Sequence, residues 1–170
     1  LANHHPRVNI LQPGPGVGGH CIAVDPWFIV SSAPEQARLI RTAREVNDYK
    51  PEWVYRRVQA TVAALGNPAD ITIACLGLAF KANIDDLRES PALSIARRIT
   101  AEHQGTTLVV EPNIEADSNP VEGATLTELD TALAQAHVIV LLVDHEPFKA
   151  ITRAQLEGKQ WVDTRGLIDG

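Results

Sequence analysis

Two textures divide the chain. Between residues 35 and 65, apolar positions fall at Leu39, Ala43, Val46, Val54, Val58, Val62 and Leu65. That spacing, built from threes and fours, paints one stripe along a helix. Pro51 lies inside the stripe and predicts a kink or split near Lys50. Beyond the breaker Gly66, Asn67 and Pro68 come short apolar runs at 71–78, 107–110, 138–143 and 161–163, separated by helical spacing. Runs without a polar face are what strands buried on both sides look like. The expectation is an α/β fold, a parallel sheet with helices on both faces, with a domain boundary that gives units 1–66 and 67–170. Ser90 followed by Pro91 marks a helix start, because Ser caps free amides and Pro is pre-set for the first helical position. Thr125 and Glu128 have capping-box spacing.

The first thirty residues belong to neither texture. Pro6, Pro13, Pro15 and Pro26 with Gly14, Gly16, Gly18 and Gly19 forbid a continuous helix or a central strand, so an ordered loop is expected. Across the 170 residues, 45% are hydrophobic and 21% charged, an ordinary globular balance. Lys and Arg number 15 against 21 Asp and Glu, a formal charge of −6 that supplies no basic footprint for nucleic acid. No run approaches the roughly 20 apolar residues of a membrane span, and no membrane association is expected. Two cysteines in unrelated contexts fit a reducing compartment, and the expected location is cytoplasmic. The chain has no Met and opens on Leu1, which leads us to expect a piece of a longer protein.

The densest chemical signal is segment 12–25. Gly14, Gly16 and Gly19 formally match GxGxxG, but the match lacks the preceding strand and the following helix that give a dinucleotide fingerprint its meaning. The glycines instead permit bare backbone to approach a ligand. Cys21 follows directly and is a nucleophile candidate if something removes its proton, the plain alternative being a packed cysteine. Asp25, four residues on, is placed to orient water or move a proton if the segment turns helically. His20 reads as a loop hydrogen-bonder, and Cys75, inside an apolar run, as core. Residues 79–91 leave the carboxyl end of the first strand, where open α/β sheets bind ligands. Lys81 and Arg88 there, and Arg165 after the last strand, are placed to reach a phosphate or to pair as solvated cations with Asp85, Asp86 or Glu89 and their like. His103, His137 and His145 show no metal-ligand spacing, so no metal is expected.

Taken together, the glycine loop with Cys21 and Asp25, the helical Glu45, Val46 and Asn47, the string from Gly77 through Leu78, Ala79 and Phe80 to Lys81, and Asp86 through Leu87, Arg88, Glu89 and Ser90 to Pro91 resemble the UDP-glucose/GDP-mannose dehydrogenase family over nearly the whole chain. The resemblance implies part of a helical central dimerisation domain at 1–66, then a Rossmann-like UDP-binding domain at 67–170. It implies a homodimer through the 35–65 helix. The implied activity oxidises the C6 alcohol of a UDP-sugar to a carboxylate by two hydride transfers to NAD. Cys21 matches the family nucleophile, which holds the substrate as a thiohemiacetal and then a thioester, and Asp25 matches the acid that manages the hydrolytic water. Lys81 matches a substrate-binding lysine, Arg165 an arginine on the UDP phosphates, and Arg88 one that reaches toward the cofactor. Arg7 lies near an arginine donated to a neighbour's substrate. Ile10, Leu11, Pro13, Gly14, Gly16 and Gly18 fall where the family holds nucleotide and sugar. The expected sugar is UDP-N-acetyl-D-mannosamine, oxidised to its uronate for surface polysaccharide such as enterobacterial common antigen, with UDP-N-acetylglucosamine the near competitor. The family's NAD-binding domain does not match any part of this sequence, so the chain alone is expected to be inactive. A non-catalytic nucleotide-sugar-binding and dimerisation module is the competing reading.

Overall fold

Short apolar runs that cannot satisfy their backbone alone pair into one sheet. The computed structural model describes His4, Arg7 and residues 12–168. In chain order come α1 (Asp25–Ser32), α2 (Arg38–Leu65), β1 (Thr72–Leu76), α3 (Pro91–Glu102), β2 (Thr106–Val110), β3 (Thr125–Leu126), α4 (Leu129–Gln135), β4 (Val138–Leu141) and β5 (Gln160–Asp163). The strands lie in the order β3-β2-β1-β4-β5 and every neighbouring pair is parallel. The chain thus runs outward from β1 to one edge, then crosses back to build the other half. The expected α/β architecture with a parallel sheet is what forms.

Alternation along β1 assigns its side chains to two cores. Ile73 and Cys75 face one core, closed by Val54, Tyr55, Val58 and Val62 of α2 and by Ile95, Ala96 and Ile99 of α3. Ala74 and Leu76 face the other, closed by Ala132, Leu133 and Ala136 with Phe148 and Leu156. Helices therefore cover both faces, which is why the central strands β1 and β4 carry no polar side, whereas the edge strand β5 exposes Gln160 and Trp161. The start of α3 is as expected. The Ser90 hydroxyl accepts from the Leu93 N–H at 3.2 Å and donates to the Leu78 carbonyl at 2.6 Å, tying the helix start to the turn after β1.

Three expectations change. The apolar stripe of α2 is not one buried face: Val54, Val58 and Val62 are buried, whereas Leu39 is 82% exposed and Val46 66%. Only the second half of the helix meets the sheet. Of the kink or split expected at Pro51, the split does not occur; α2 continues from Arg38 to Leu65 with the proline inside. A lost bond to the Asn47 carbonyl is outweighed where the following turns are locked into the core. Thr125 and Glu128 do not form a capping box. Thr125 opens β3, paired with Leu108, and α4 begins after Glu128 with no side-chain cap. Pairing of the extended backbone to β2 continues through the Thr127 N–H, which donates to the Val109 carbonyl at 3.0 Å, so the helix starts later than the spacing implied. Among the described residues no helix is long and apolar enough to cross a membrane.

Candidate functional site

The strand order reverses between β1 and β4, and their carboxyl ends flank a crevice of the kind that receives ligands in open parallel sheets. Three segments meet there: the loop after β1 that carries Lys81, the turn after β4 with Asp144 and His145, and the turn after β5 with Arg165. The glycine loop roofs them. Gly14 lies so close to Arg165 that a side chain there would overlap the guanidinium, and Gly18 is pressed on the Glu89 carbonyl and Pro91 with the same lack of room. The Asn47 side chain fastens this roof to α2, accepting from the Val17 N–H at 2.8 Å. Pro15, Gly16, Lys81 and Arg165 line one small cavity of about 20 Å³, with Phe80, Pro91 and Val143.

Arg165 is the best-defined cation. The Arg165 and Gly166 N–H groups donate to Asp163 Oδ1 at 2.8 and 2.9 Å, which fixes the turn, and the guanidinium Nη2 stands 2.7 Å from Asp144 Oδ1. Its buried Nε has no hydrogen-bond partner among the described residues. A buried donor without an acceptor is costly unless something supplies one. Lys81, in contrast, is exposed at the mouth of the crevice.

Cys21 and Asp25 sit on the turn that leads into α1. The Asp25 N–H donates to the Cys21 carbonyl at 2.8 Å, so the segment does turn helically and a spacing of four puts both side chains on one side. Both residues are exposed, and Cys21 is a free thiol. Cys75 is free but fully buried, and burial pushes its thiol up to about 12, as befits a core residue.

Other expected site residues are not drawn into the crevice. Arg88 is exposed and forms a two-pronged pair with Asp86, at 3.0 Å from Nε and 2.6 Å from Nη2. The donors of Arg88, side chain and main chain, hold the Asp86 carboxyl down at about 2. Arg7 and Pro13 are exposed, and neither lines the small cavity. Ile10 and Leu11 lie outside the described residues. The formal GxGxxG is not a dinucleotide fingerprint: Gly14, Gly16 and Gly19 have their Cβ sides against Arg165, Pro91 and Phe80 respectively, and no strand runs into the loop among the described residues.

The sequence reading missed a buried polar cluster beneath Lys81. Glu111, immediately after β2, accepts from the Leu78 and Ala79 N–H groups at 2.7 and 3.0 Å. The same oxygen is 3.0 Å from His145 Nε2, and both side chains are fully buried. The Asn83 N–H donates to His145 Nδ1 at 2.9 Å, so Nδ1 is the acceptor and Nε2 carries the proton toward Glu111. Burial pushes the Glu111 carboxyl up, but the bonds it accepts from His145, Leu78 and Ala79 outweigh this and leave it below the ordinary carboxylate value. One signal was available: Glu111 directly follows the apolar end of β2, and His145 stands two residues beyond the apolar run 138–143, where the chain leaves the sheet at the crevice. Among the described residues no group of three or more His, Cys, Asp or Glu is arranged to hold a metal ion.

A doubly wound parallel sheet with a cationic crevice at its switch point, roofed by a glycine loop that leads to an exposed thiol, defines a ligand-binding α/β protein of Rossmann-like class. The chain belongs to the UDP-glucose/GDP-mannose dehydrogenase family: residues 74–170 match that family's UDP binding domain and residues 1–49 its central domain. It is 61% identical over 173 residues to a UDP-N-acetyl-D-mannosamine dehydrogenase of Salmonella typhi, covering 98% of this chain and 41% of that protein. It is 57% identical over 167 residues to an NDP-N-acetyl-D-galactosaminuronic acid dehydrogenase of Ralstonia solanacearum, covering 98% of this chain and 39% of the relative. Among solved structures, the UDP-D-ManNAc dehydrogenase of Pyrococcus horikoshii superposes with a TM-score of 0.80 at 32% identity, over 98% of this chain and 39% of that one. The chain thus spans about two fifths of the length of the curated relatives it matches.

Proposed function

We propose that this chain is the substrate-binding and nucleophile-bearing portion of a UDP-N-acetyl-D-mannosamine 6-dehydrogenase. The observation that carries the proposal is the Arg165 guanidinium, held against Gly14 with a buried donor unpartnered beside Lys81. Two cations at a roofed crevice suit a diphosphate, and Arg matches phosphate geometry better than any other side chain. High identity to mannosamine-sugar dehydrogenases favours that sugar.

NAD, when bound, would supply the acceptor of the hydrides that leave C6. What this chain supplies is the covalent hold on the carbon. The Cys21 sulfur adds to the C6 aldehyde and the carbonyl oxygen gains a proton, giving a thiohemiacetal that keeps the intermediate from escaping. Loss of a hydride and a proton leaves a thioester. Water then adds to the thioester carbonyl, the C–S bond breaks, the sulfur regains a proton, and the sugar leaves as the uronate. Asp25, one helical turn from Cys21, takes the proton of that water. The exposed face of α2 formed by Leu39, Val46 and Tyr49 in its first half, continued by Trp53, is the face on which a second copy docks.

The deciding assay is NADH formation by the protein that carries this chain, offered UDP-N-acetylmannosamine and UDP-N-acetylglucosamine in parallel, with and without Cys21→Ser. Turnover of the mannosamine sugar, lost with serine, is expected. Turnover of the glucosamine sugar alone overturns the substrate; activity that survives the serine overturns the nucleophile.

A further inference from the structure

We infer that the buried Glu111 and His145 pair is a positioning device for Lys81, setting the height and direction from which that lysine meets the diphosphate of a UDP-sugar. The inference rests on the proposed use of Lys81 in substrate binding and goes beyond it to the groups that make that use possible.

Lys81 sits on a loop that has no regular structure to hold it. Both flanks of the lysine end on the same two side chains. On the near flank, the Leu78 and Ala79 N–H groups donate to Glu111 Oε2. On the far flank, the Asn83 N–H donates to His145 Nδ1. The imidazole joins the two anchors, since its Nε2–H donates to the same Glu111 oxygen at 3.0 Å. Five residues of loop are therefore strung between two points of one rigid, dehydrated unit. The unit is itself braced. Asn113 reaches Glu111 Oε1 at 3.1 Å and His145 Nδ1 at 2.9 Å through its side-chain amide, and the His145 ring packs edge-on against Phe148 at 5.4 Å between centroids. Asn83 closes the far end, taking a left-handed φ of 62° while its Oδ1 accepts from the Glu146 N–H at 2.8 Å.

This construction is more than a fold requirement needs. Apolar strand ends with a hydrophobic plug are the cheaper way to close a sheet, because buried ionisable groups cost desolvation that only full hydrogen bonding offsets. Glu111 Oε2 and His145 Nδ1 instead receive the main-chain N–H groups on the two flanks of the loop, while Asn113 takes Glu111 Oε1, and the loop's one cation faces the crevice beside Arg165. Fixing a long, flexible side chain at its root lowers the entropy lost when it binds.

The test is a double-mutant cycle read by calorimetric titration of UDP into the purified protein. His145→Gln keeps an amide within reach of Glu111 but withdraws the acceptor from the Asn83 N–H. It is expected to weaken UDP binding about tenfold when Lys81 is present and less than about twofold in the Lys81→Ala background. Asn83→Gly serves as a gentler second variant at an exposed position that tolerates the left-handed conformation, with an expected loss of about threefold that likewise vanishes with Lys81→Ala. Equal losses in both backgrounds would show that the pair merely supports the fold and overturn the inference, as would unchanged affinity in both variants with Lys81 present. If Lys81→Ala alone leaves UDP affinity unchanged, the proposed substrate role of Lys81 fails first and takes the inference with it, a result distinguishable because it appears before either variant is examined.

Discussion

Arg165 and Gly14 stand in van der Waals contact that only a missing side chain permits: a Cβ on the glycine would overlap the guanidinium nitrogen Nη1. The arginine is thereby trapped between roof and sheet, with Asp144 at 2.7 Å on one side. Arg165→Ala is expected to lower UDP affinity by on the order of 30-fold, the loss of about 2 kcal/mol that a charge-assisted hydrogen bond carries. Gly14→Ala displaces only the end of the arginine, and a smaller loss of about fivefold is expected. Calorimetric titration of both variants checks the order; a larger effect from Gly14→Ala than from Arg165→Ala would contradict the assignment.

The two thiols differ in access as much as two cysteines can. Cys21 is exposed on its turn, and Cys75 is fully buried with its thiol pushed up to about 12 by burial. A disulfide reagent at pH 8 is expected to titrate one thiol per native chain and a second only in denaturant. Cys21→Ser should abolish the native signal. Two fast thiols in the native protein would mean that the β1 core is open.

Glu111 ties acid stability to the crevice. Its folded carboxyl lies below the ordinary value of 4.5, so its contribution is fully present above that pH and is lost as pH falls through the lower folded value. Glu111→Gln leaves buried N–H groups without their anion and is expected to cost about 3 kcal/mol at pH 7. Urea denaturation of wild type and variant should show a gap that is constant from pH 7 to 5 and narrows below about 4.5. A gap that widens in acid would reverse the sign of the argument.

The free half of α2 predicts self-association. Val46 is 66% exposed and Leu39 82%, on a helix whose other half is packed into the sheet domain. Val46→Glu is expected to shift the protein toward monomer in sedimentation equilibrium while leaving its thermal midpoint within a few degrees. A wild-type protein that sediments as a monomer, or a variant that sediments like an associating wild type, would overturn this face as a docking surface.

Much of this molecule can be read from the order of its residues, and what cannot has physical reasons. The runs at 71–78 and 138–143 announce the central strands because burial on both faces leaves little room for polar positions, while the edge run 161–163 carries Asp163 and a 40% exposed Trp161 and is legible only from its neighbours. Residues 125–126 announce nothing, since two residues at a sheet edge, one of them exposed, carry no pattern. Cys21, Asp25, Lys81 and Arg165 stand out because the chemistry of each residue type is local to its own motif. Glu111 and His145 do not, because their meaning lies in a meeting across 34 positions that only the strand order brings about. The stripe of α2 misleads for the opposite reason: periodicity reports that a face is apolar, but not which part of it the same chain covers.

Leu78 and Ala79 present the two main-chain N–H groups that follow the first strand, and both end on a carboxylate of the chain itself. In many nucleotide-binding sheets the amides at this point are left for a phosphate. Here an anion is resident, tethered by its own backbone and never released. An anionic ligand entering the crevice must find its counter-charge on side chains such as Lys81 and Arg165. Main-chain amides are the same whatever the residue, whereas a side chain is replaced by a single substitution. The choice of ligand at this sheet is therefore open to change one residue at a time, with the strands beneath it left as they are.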